Sequence, residues 1–277
     1  MTSKKILFTG GNGFIGRQII PFIQGAGYEV VRPRSTQVRL QDDEEVATLF
    51  DNGQHYAAII HGAIVGGRRD IEDDYRVFYT NLSMFENLFK YIDQTDLFIN
   101  FDSGASLGRP SPTETPSPDD FGKIIPSDSY GFSKYVITKR VLDNPKGRNL
   151  RVFGCFGQHE ESTRFFNTNI KNYINKKPIQ LIKDRKMDFI YANDLYKIVK
   201  YYLDNSNAPR DVNCVYENKV FLSDIADMIN NLSDHRVEIT KEGQWPEFSY
   251  CGAPNNLPIQ YDGLEKGIRD CYESYLR

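Results

Sequence analysis

A glycine-rich turn at residues 9–16, with the sequence TGGNGFIG, constrains this chain more than any other feature. It follows a short apolar run at residues 6–8 and opens a helical pattern at residues 14–25. A strand, a glycine turn and a helix in this order begin a βαβ unit, where such a turn is typical of a dinucleotide phosphate site. Glycine-rich turns also serve as structural hairpins and caps, but the βαβ context favours the cofactor interpretation.

Each glycine of this turn has its own physical role. Gly10 permits the tight turn, Gly13 lets the main chain approach a pyrophosphate, and Gly16 lets the helix pack closely on the strand. The first N–H groups of a helix have no intrahelical acceptor and lie at its positive dipole end, so they favour a phosphate. The predicted cofactor contacts of the turn are Gly10, Asn12, Gly13, Phe14 and Ile15.

The first half of the chain alternates predicted strands with predicted helices. The strands are residues 5–9, 29–32, 58–61, 97–101 and 150–153, and the helices are residues 14–25, 43–51, 75–93 and 127–142. This alternation implies a parallel sheet with helices on both faces. We therefore predict an α/β fold with a Rossmann-type doubly wound parallel sheet.

After residue 156 the pattern becomes irregular, which predicts a smaller, mixed C-terminal substrate lobe. Predicted helices at residues 164–175, 193–203, 222–231 and 263–275 are interrupted by short β segments at residues 179–182, 189–191, 212–215 and 237–240. We expect residues 1–158 to form the dinucleotide-binding domain, with segments near 186–215 returning to it, and residues 159–277 to form mainly the substrate lobe. A Pro-, Ser- and Thr-rich stretch at residues 110–118 predicts a surface loop.

The composition is that of an ordinary globular chain. Of 277 residues, 40% are hydrophobic and 26% are charged, and the net charge of −3 gives no electrostatic case for nucleic acid or membrane binding. No apolar run approaches the roughly 20 residues of a membrane span, and the N-terminus leads into the first strand without a signal-peptide pattern. The four cysteines are scattered without metal-ligand spacing, which predicts reduced thiols, no metal and a cytoplasmic enzyme.

The second decisive feature is the segment Tyr130-Gly-Phe-Ser-Lys134. Residues four apart share one face of a helix, so both side chains can point into one cleft. A phenol with its ordinary pKa of about 10 is a poor acid or base at neutral pH, but a neighbouring ammonium favours the phenolate. Ser103, just past the fourth strand, is suited to hydrogen-bonding a carbonyl or hydroxyl. Ser103, Tyr130 and Lys134 therefore form a coherent proton-transfer set, although Y-x-x-x-K alone occurs by chance in many helices.

Together the two features resemble the short-chain dehydrogenase/reductase superfamily, in its extended branch of NAD(P)-dependent nucleotide-sugar epimerases, dehydratases and reductases. That branch usually opens with T-G-G-x-G-F-I-G, which residues 9–16 match. The resemblance sets Ser103 at the catalytic serine or threonine position and runs from residue 3 to about residue 204.

The end of the second strand bears on the choice of cofactor. NAD-preferring members carry an acid there to hold the ribose hydroxyls. This chain has Arg34 at that position, with Arg32 and Ser35 nearby, and a guanidinium suits a 2′-phosphate. We therefore predict NADP(H), against the alternative of two solvated arginines.

Within the branch, the chain is similar to the GDP-L-fucose synthase family of keto-sugar reductases. Residues 31–34, 38–42 and 61–67 carry this similarity. It implies that Ala63 lines the cofactor, that residues 65–67 lie near the nicotinamide and the sugar, and that Asn81 buttresses the sheet. The further cofactor contacts implied are Leu40, Gly62, Ile64, Asn81, Phe153, Tyr130 and Lys134.

The departures from that family limit the reaction. Fucose synthases also epimerise, using a cysteine two residues after the serine and a downstream histidine. In this chain Ala105 occupies the cysteine position and, in a loose alignment, Arg164 occupies the histidine position. Alanine cannot transfer a proton, so epimerisation should be absent. Dehydratases place acidic residues directly after the serine, whereas this chain has Gly104 and Ala105. Ketoreduction at C4 of a nucleotide-linked 4-keto-6-deoxy sugar remains.

In the expected mechanism Tyr130 protonates the developing alkoxide, Lys134 lowers the tyrosine pKa and binds the nicotinamide ribose, and Ser103 polarises the carbonyl. The expected substrate contacts are Val65, Gly66, Ser103, Gly104, Ala105, Phe156, Arg164 and Arg185.

Three alternatives stay open: an epimerase or dehydratase of the same family, a non-catalytic NADP(H)-binding protein, and a ketoreductase of another substrate class. The resemblance also implies a homodimer, formed through the helices predicted at residues 75–93 and 127–142.

Overall fold

A computed structural model describes residues 4–67, 72–108, 115–242 and 249–277. Residues 110–114 of the predicted surface loop lie outside the described residues. The strands are β1 (Lys5–Thr9), β2 (Glu29–Val31), β3 (Ala58–His61), β4 (Phe98–Ser103), β5 (Gly147–Val152), β6 (Cys155–Phe156), β7 (Ile179–Leu181), β8 (Ile190–Tyr191), β9 (Asp211–Asn213) and β10 (Ile239–Lys241). The helices are α1 (Phe14–Gly25), α2 (Asp43–Ala47), α3 (Tyr75–Phe89), α4 (Ser129–Leu142), α5 (Phe165–Ile174), α6 (Ala192–Asp204), α7 (Leu222–Asn230) and α8 (Gly263–Tyr275).

Six of the strands form one parallel sheet in the order β2-β1-β3-β4-β5-β9. The order reverses direction after β2, as it does in doubly wound sheets. Ligands bind such sheets at the carboxyl ends of the strands, near the point of reversal. The predicted α/β class with a Rossmann-type sheet is confirmed.

Alternating side chains of the central strands explain why both faces of this sheet are covered. Ile6 and Phe8 of β1 pack on one face with residues of α1 and α6, whereas Leu7 packs on the other face with residues of α3 and α4. Successive strand residues point to opposite faces, so a strand that is apolar at consecutive positions needs a layer on each side.

The starts of three helices are fixed by aspartate caps. Asp42, Asp74 and Asp128 accept hydrogen bonds from main-chain N–H groups in the first turns of α2, α3 and α4. Each cap satisfies donors that otherwise have no acceptor. By contrast, within the described residues no side chain caps α1, whose N-cap residue is Gly13.

The second half of the chain builds its own core. Phe166, Ile170 and Tyr173 of α5 pack against Ile225 of α7 and Ile268 of α8. Two parallel pairs accompany this core, β7 with β10 and β6 with β8, while β9 joins the main sheet beside β5. Among the described residues, no helix is long and apolar enough to cross a membrane.

Several predicted bounds were wrong by a few residues. The helix predicted at residues 75–93 ends at Phe89, and a separate 3-10 turn covers Ile92–Gln94. The strand predicted at residues 150–153 is Gly147–Val152. Its first half was missed because Arg148 and Asn149 read as polar, yet both are buried and hydrogen-bonded.

Candidate active site

The strands β1, β3, β4 and β5 bring the predicted site residues to one edge of the sheet. In register, Thr9 lies beside His61, and Ser103 lies beside Val152. The segments that follow these strands therefore leave the sheet together, at its carboxyl edge. This edge contains the glycine turn, the loop from Gly62 to Gly67, Ser103 and Phe153.

The glycine turn fits a bound dinucleotide in two respects. Gly10 has a φ of +72°, and a Cβ there would lie 2.6 Å from the main chain of Gly62 and Ala63. Gly13 is exposed, and α1 has no acidic residue in its first turn. The uncapped N–H groups of Phe14 and Ile15 thus remain available to an anion. Gly16 packs against the main chain of Gly11, since a Cβ on Gly16 would lie 2.4 Å from the Gly11 carbonyl oxygen.

The basic segment after β2 lies next to this turn. The Asn12 amide donates to the carbonyl oxygens of Arg32 (3.3 Å) and Pro33 (3.5 Å), which ties the segment to the turn. Arg32, Arg34 and Ser35 are all exposed. Leu40, in contrast, is 8% exposed and belongs to the same buried core cluster as Val46 and Leu88.

The loop after β3 is held by Asn81. Its amide oxygen accepts from the Val65 N–H (2.9 Å), and its amide nitrogen donates to the Val65 carbonyl (3.0 Å) and to Ser133 Oγ (3.1 Å). Asn81 therefore joins the loop to α4, where Ser133 also donates to the Tyr130 carbonyl. Ile64 and Val65 remain more than a third exposed.

Glycine is required where this loop meets Tyr130. Gly66 and Gly67 both have positive φ, and a Cβ on Gly67 would lie 2.6 Å from the Tyr130 ring. The Gly67 N–H donates to Asp73 (2.8 Å). The loop thus lies against the ring of the predicted proton donor.

Ser103 ends β4 and caps the 3-10 turn Gly104–Leu107. Its Oγ accepts from the Ala105 N–H at 3.3 Å. Gly104 is buried, and a Cβ there would lie 2.5 Å from the Phe153 ring. The Ala105 side chain is completely buried. A Cβ on Gly131 would lie 3.0 Å from the Ala105 carbonyl oxygen, so the turn packs against the start of α4.

Lys134 extends from α4 to the end of β4. Its Nζ donates to the carbonyl of Phe101 at 2.6 Å, and only 4% of the residue is exposed. Burial lowers the pKa of Lys134 from 10.5 to about 8, partly opposed by the charge of Asp102. Burial, together with the charge of Lys134, lowers the pKa of His61 to about 3, so that this histidine is neutral at physiological pH.

Tyr250 was missed by sequence reasoning. Its hydroxyl lies 3.3 Å from Ser103 Oγ, although 147 residues separate the two. Its ring packs on Phe153, with centroids 5.2 Å apart. No motif surrounds Tyr250, and a contact of this range leaves no periodic signal in the sequence.

A buried charge network behind Ser103 was also missed. Arg151 is completely buried and donates to Asp102 (3.0 Å) and to Asp211 (2.9 Å). Ser106 Oγ donates to the same Asp102 oxygen at 2.6 Å. This network joins β4, β5 and β9, and its member Asp102 directly precedes Ser103 in the chain.

The predicted substrate contacts of the C-terminal half differ in their surroundings. Phe156 has no exposed surface and stacks on Phe166, with centroids 3.9 Å apart, and its role as a substrate contact stays a prediction. Arg164 is exposed at the start of α5. Arg185 is half-buried, and its carbonyl accepts from the Leu222 N–H.

Curated relatives of this chain act in nucleotide-sugar chemistry. It is 21% identical over 237 residues to a GDP-L-colitose synthase from Yersinia pseudotuberculosis, covering 76% of this chain and 75% of that one. It is also 32% identical over 87 residues to a GDP-L-fucose synthase from Azorhizobium caulinodans, covering 31% and 28% of the two chains.

A solved structure shares the fold along the whole chain. The GDP-mannoheptose C4 reductase from Campylobacter jejuni, solved with NADP bound, superposes with a TM-score of 0.85 at 15% identity, covering 100% of this chain and 99% of that one. The model of the family described as "NAD dependent epimerase/dehydratase family" matches residues 6–214, about three quarters of the sequence. With its glycine turn, parallel sheet and Tyr130–Lys134 helix, the chain belongs to the NAD dependent epimerase/dehydratase family.

Proposed function

We propose that this protein is an NADPH-dependent reductase that reduces the C4 keto group of a nucleotide-linked 4-keto-6-deoxy sugar without epimerising it. The observation that carries the proposal is the position of Lys134. Lys134 lies on the helix that carries Tyr130. Its buried ammonium donates to the Phe101 carbonyl, near the end of the strand that carries Ser103. This arrangement suits proton transfer to an oxygen at the carboxyl edge of the sheet.

The residues around the glycine turn fit NADP(H). The uncapped start of α1 suits the pyrophosphate, and the exposed Arg32, Arg34 and Ser35 suit the 2′-phosphate. The NADP bound in the Campylobacter reductase supports the same choice. When bound, NADPH supplies a hydride to the carbonyl carbon.

The protein's own residues handle the oxygen of that carbonyl. Ser103 donates a hydrogen bond to the oxygen, and Tyr130 gives it a proton as negative charge develops. The Lys134 ammonium favours the phenolate that Tyr130 becomes. Asn81 holds both the Val65 loop and the helix turn that carries Tyr130, which keeps the proton donor in position.

The surroundings of Ser103 favour reduction over the alternative reactions. Epimerisation at a carbon next to the carbonyl needs a second acid–base group, and Ala105 offers none. The nearby His61 is buried and neutral, with Thr9 Oγ1 2.9 Å from its Nδ1. Dehydration needs an acid directly after the serine, where this chain has the buried Gly104 and Ala105.

The relatives support the choice of substrates to test. Their names include GDP-linked sugars, so GDP-linked keto sugars are the first substrates to test, ahead of UDP-, dTDP- and CDP-linked ones. Arg164 and Arg185 are the basic residues proposed to contact the diphosphate. We further propose that the enzyme is cytoplasmic and acts as a homodimer.

The proposal is tested by NADPH absorbance with a panel of nucleotide-linked 4-keto-6-deoxy sugars, followed by NMR of the product. We expect oxidation of NADPH and one C4 alcohol with C3 and C5 unchanged. Inverted C3 or C5 centres would indicate an epimerase. Tight NADPH binding without turnover on any substrate would indicate a binding protein or a ketoreductase of another class.

The matched variants are Tyr130→Phe and Tyr135→Phe, which lie on the same helix. Loss of the proton donor should lower kcat at least about 100-fold while NADPH binding is retained. Tyr135 stacks on Phe121 and lies five residues after Tyr130, roughly 140° around the helix from it, so its variant should keep full turnover. Turnover that survives in Tyr130→Phe would contradict the assignment of the proton donor.

A further inference from the structure

Tyr250 brings a second phenol to the reaction centre, from the C-terminal half of the chain. Its hydroxyl lies 3.3 Å from Ser103 Oγ. That separation is long for two hydroxyl groups, but hydrogen bonds at catalytic sites are often long in the free enzyme and shorten when the substrate binds. The contact therefore suits a bond that forms fully during turnover.

Hydrogen bonds hold the main chain at Tyr250 and just after it. Its N–H donates to the Lys186 carbonyl (2.9 Å), and its carbonyl accepts from the Asp188 N–H (3.0 Å). The Asp188 carboxylate in turn accepts from Lys219 and from the Gly252 N–H, both at 2.8 Å. Buried, charge-assisted bonds of this kind are among the stronger ones in proteins.

The ring of Tyr250 is held by Phe153. Two glycines enclose Phe153, since a Cβ on Gly104 would lie 2.5 Å from its ring and one on Gly252 would lie 2.6 Å from it. Gly104 directly follows Ser103, and Gly252 lies two residues after Tyr250. The close approach of both main chains to one ring thus sets the distance between Ser103 and Tyr250.

Counting donors and acceptors at Ser103 suggests what the contact does. A serine hydroxyl has one proton to donate and two lone pairs that accept. The Ala105 N–H already donates to one lone pair. If the Tyr250 hydroxyl donates to the other, the serine proton can only be directed outward, toward a substrate oxygen.

We propose that Tyr250 is a positioning residue that donates its phenol proton to Ser103 and thereby orients the serine hydroxyl toward the substrate carbonyl. The catalytic consequence rests on the proposed ketoreductase function, whereas the hydrogen bond itself does not. Tyr250 also ties Ser103 to the segment of Arg185 and Lys186, through the hydrogen bond from its N–H to the Lys186 carbonyl.

The kinetic test is a double-mutant cycle with Tyr250→Phe and Ser103→Ala. Loss of one hydrogen bond should lower kcat about tenfold in Tyr250→Phe, with KM for NADPH unchanged. In the Ser103→Ala background the same change should have no further effect, because the group through which Tyr250 acts is absent. An equal loss in both backgrounds would overturn the proposal.

Tyr261→Phe is the control for general damage to the C-terminal segment. Tyr261 also donates one phenol hydrogen bond, but its acceptor is Asn255, at 3.1 Å, and not Ser103. We expect its kcat to equal that of the unmodified enzyme. A loss equal to that of Tyr250→Phe would mean that Tyr250 has only a structural role.

A second readout separates this proposal from the proposed function. With 3-fluorotyrosine placed at position 250 alone, the fluorine resonance should move when Ser103 is changed to Ala, in the free protein and with NADP added. If no keto sugar is turned over but the resonance moves, the reductase function fails and the hydrogen bond stands. An unmoved resonance overturns the Tyr250 proposal whatever the enzyme turns over.

Discussion

Lys134 holds its ammonium group where water hardly reaches it. Burial lowers its pKa from 10.5 to about 8, so below pH 8 the folded protein carries a charge that the unfolded chain would solvate better. Between the folded pKa of about 8 and the ordinary value of 10.5, the unfolded chain binds more protons at this site. The loss of folding stability caused by burying the charge is therefore complete below pH 8 and fades as the pH approaches 10.5. The side chain proposed to assist proton transfer therefore lowers stability at neutral pH.

We predict that Lys134→Met raises the free energy of unfolding at neutral pH by up to about 3 kcal/mol and abolishes turnover. The gain should shrink as the pH rises through 8 toward 10.5. Urea unfolding across this pH range measures it, with the exposed Lys139 of the same helix as the control site for Lys139→Met. A Lys134→Met protein that is less stable at neutral pH would contradict the prediction.

Site residues that belong to a local sequence pattern could be predicted, whereas site residues that depend on contacts between distant parts of the chain could not. Tyr130 and Lys134 are four positions apart on one helix, and that spacing alone predicts a shared face. Tyr250 meets Ser103 across 147 residues, and Arg151 meets Asp211 across 60 residues. Such pairs exist only after the sheet has formed, so a single sequence carries no sign of them.

At the scale of elements, the end of β2 is where cofactor preference is expected to be decided. We predict that Arg34→Ala weakens NADP+ binding about 10- to 100-fold and leaves NAD+ binding nearly unchanged, because one charge-assisted bond to the 2′-phosphate is lost. Titrations with both dinucleotides measure this without any turnover. Arg39→Ala is the control, because Arg39 pairs with Asp42 and Glu45 instead. An unchanged ratio of the two affinities would remove Arg34 from the cofactor site.

The bounds of strands and helices could be predicted where the apolar pattern ends at a residue that favours a turn or a helix end. The bounds of β1, β3, α1 and α8 match the prediction. The start of β5 could not be predicted, because Arg148 and Asn149 are polar residues of a buried strand. Their partners, such as the Ser206 carbonyl and the Asp211 carboxylate, lie far along the chain.

At the scale of the whole molecule, an exposed aromatic surface on α3 and α4 suggests how two copies meet. Tyr75 and Tyr79 are more than 60% exposed, and Phe132 is 37% exposed and stacks on Phe78. Monomeric proteins seldom leave such a contiguous apolar patch in water. It covers the two helices that the family resemblance assigns to a dimer interface.

We predict that the protein is a dimer in solution and that Tyr79→Glu combined with Phe132→Glu makes it a monomer, because two carboxylates would be buried without partners. Light scattering after size-exclusion chromatography measures the mass. Ile182→Glu is the control, since Ile182 is 72% exposed but lies next to β7, in the C-terminal half. A monomeric unmodified protein, or a dimer in the double variant, would contradict the prediction.

The buried network of Asp102, Arg151 and Asp211 has a consequence for how the chain is made. Its last carboxylate lies on β9, about 60 residues after Arg151 and beyond every motif that marks the reaction centre. A growing chain that has emerged only as far as α6 would contain Ser103, Tyr130 and Lys134, yet would bury the Arg151 guanidinium with a single carboxylate. During synthesis, the Arg151 guanidinium therefore gains its hydrogen bonds to Asp211 and Asn213 only after this strand of the second half has emerged.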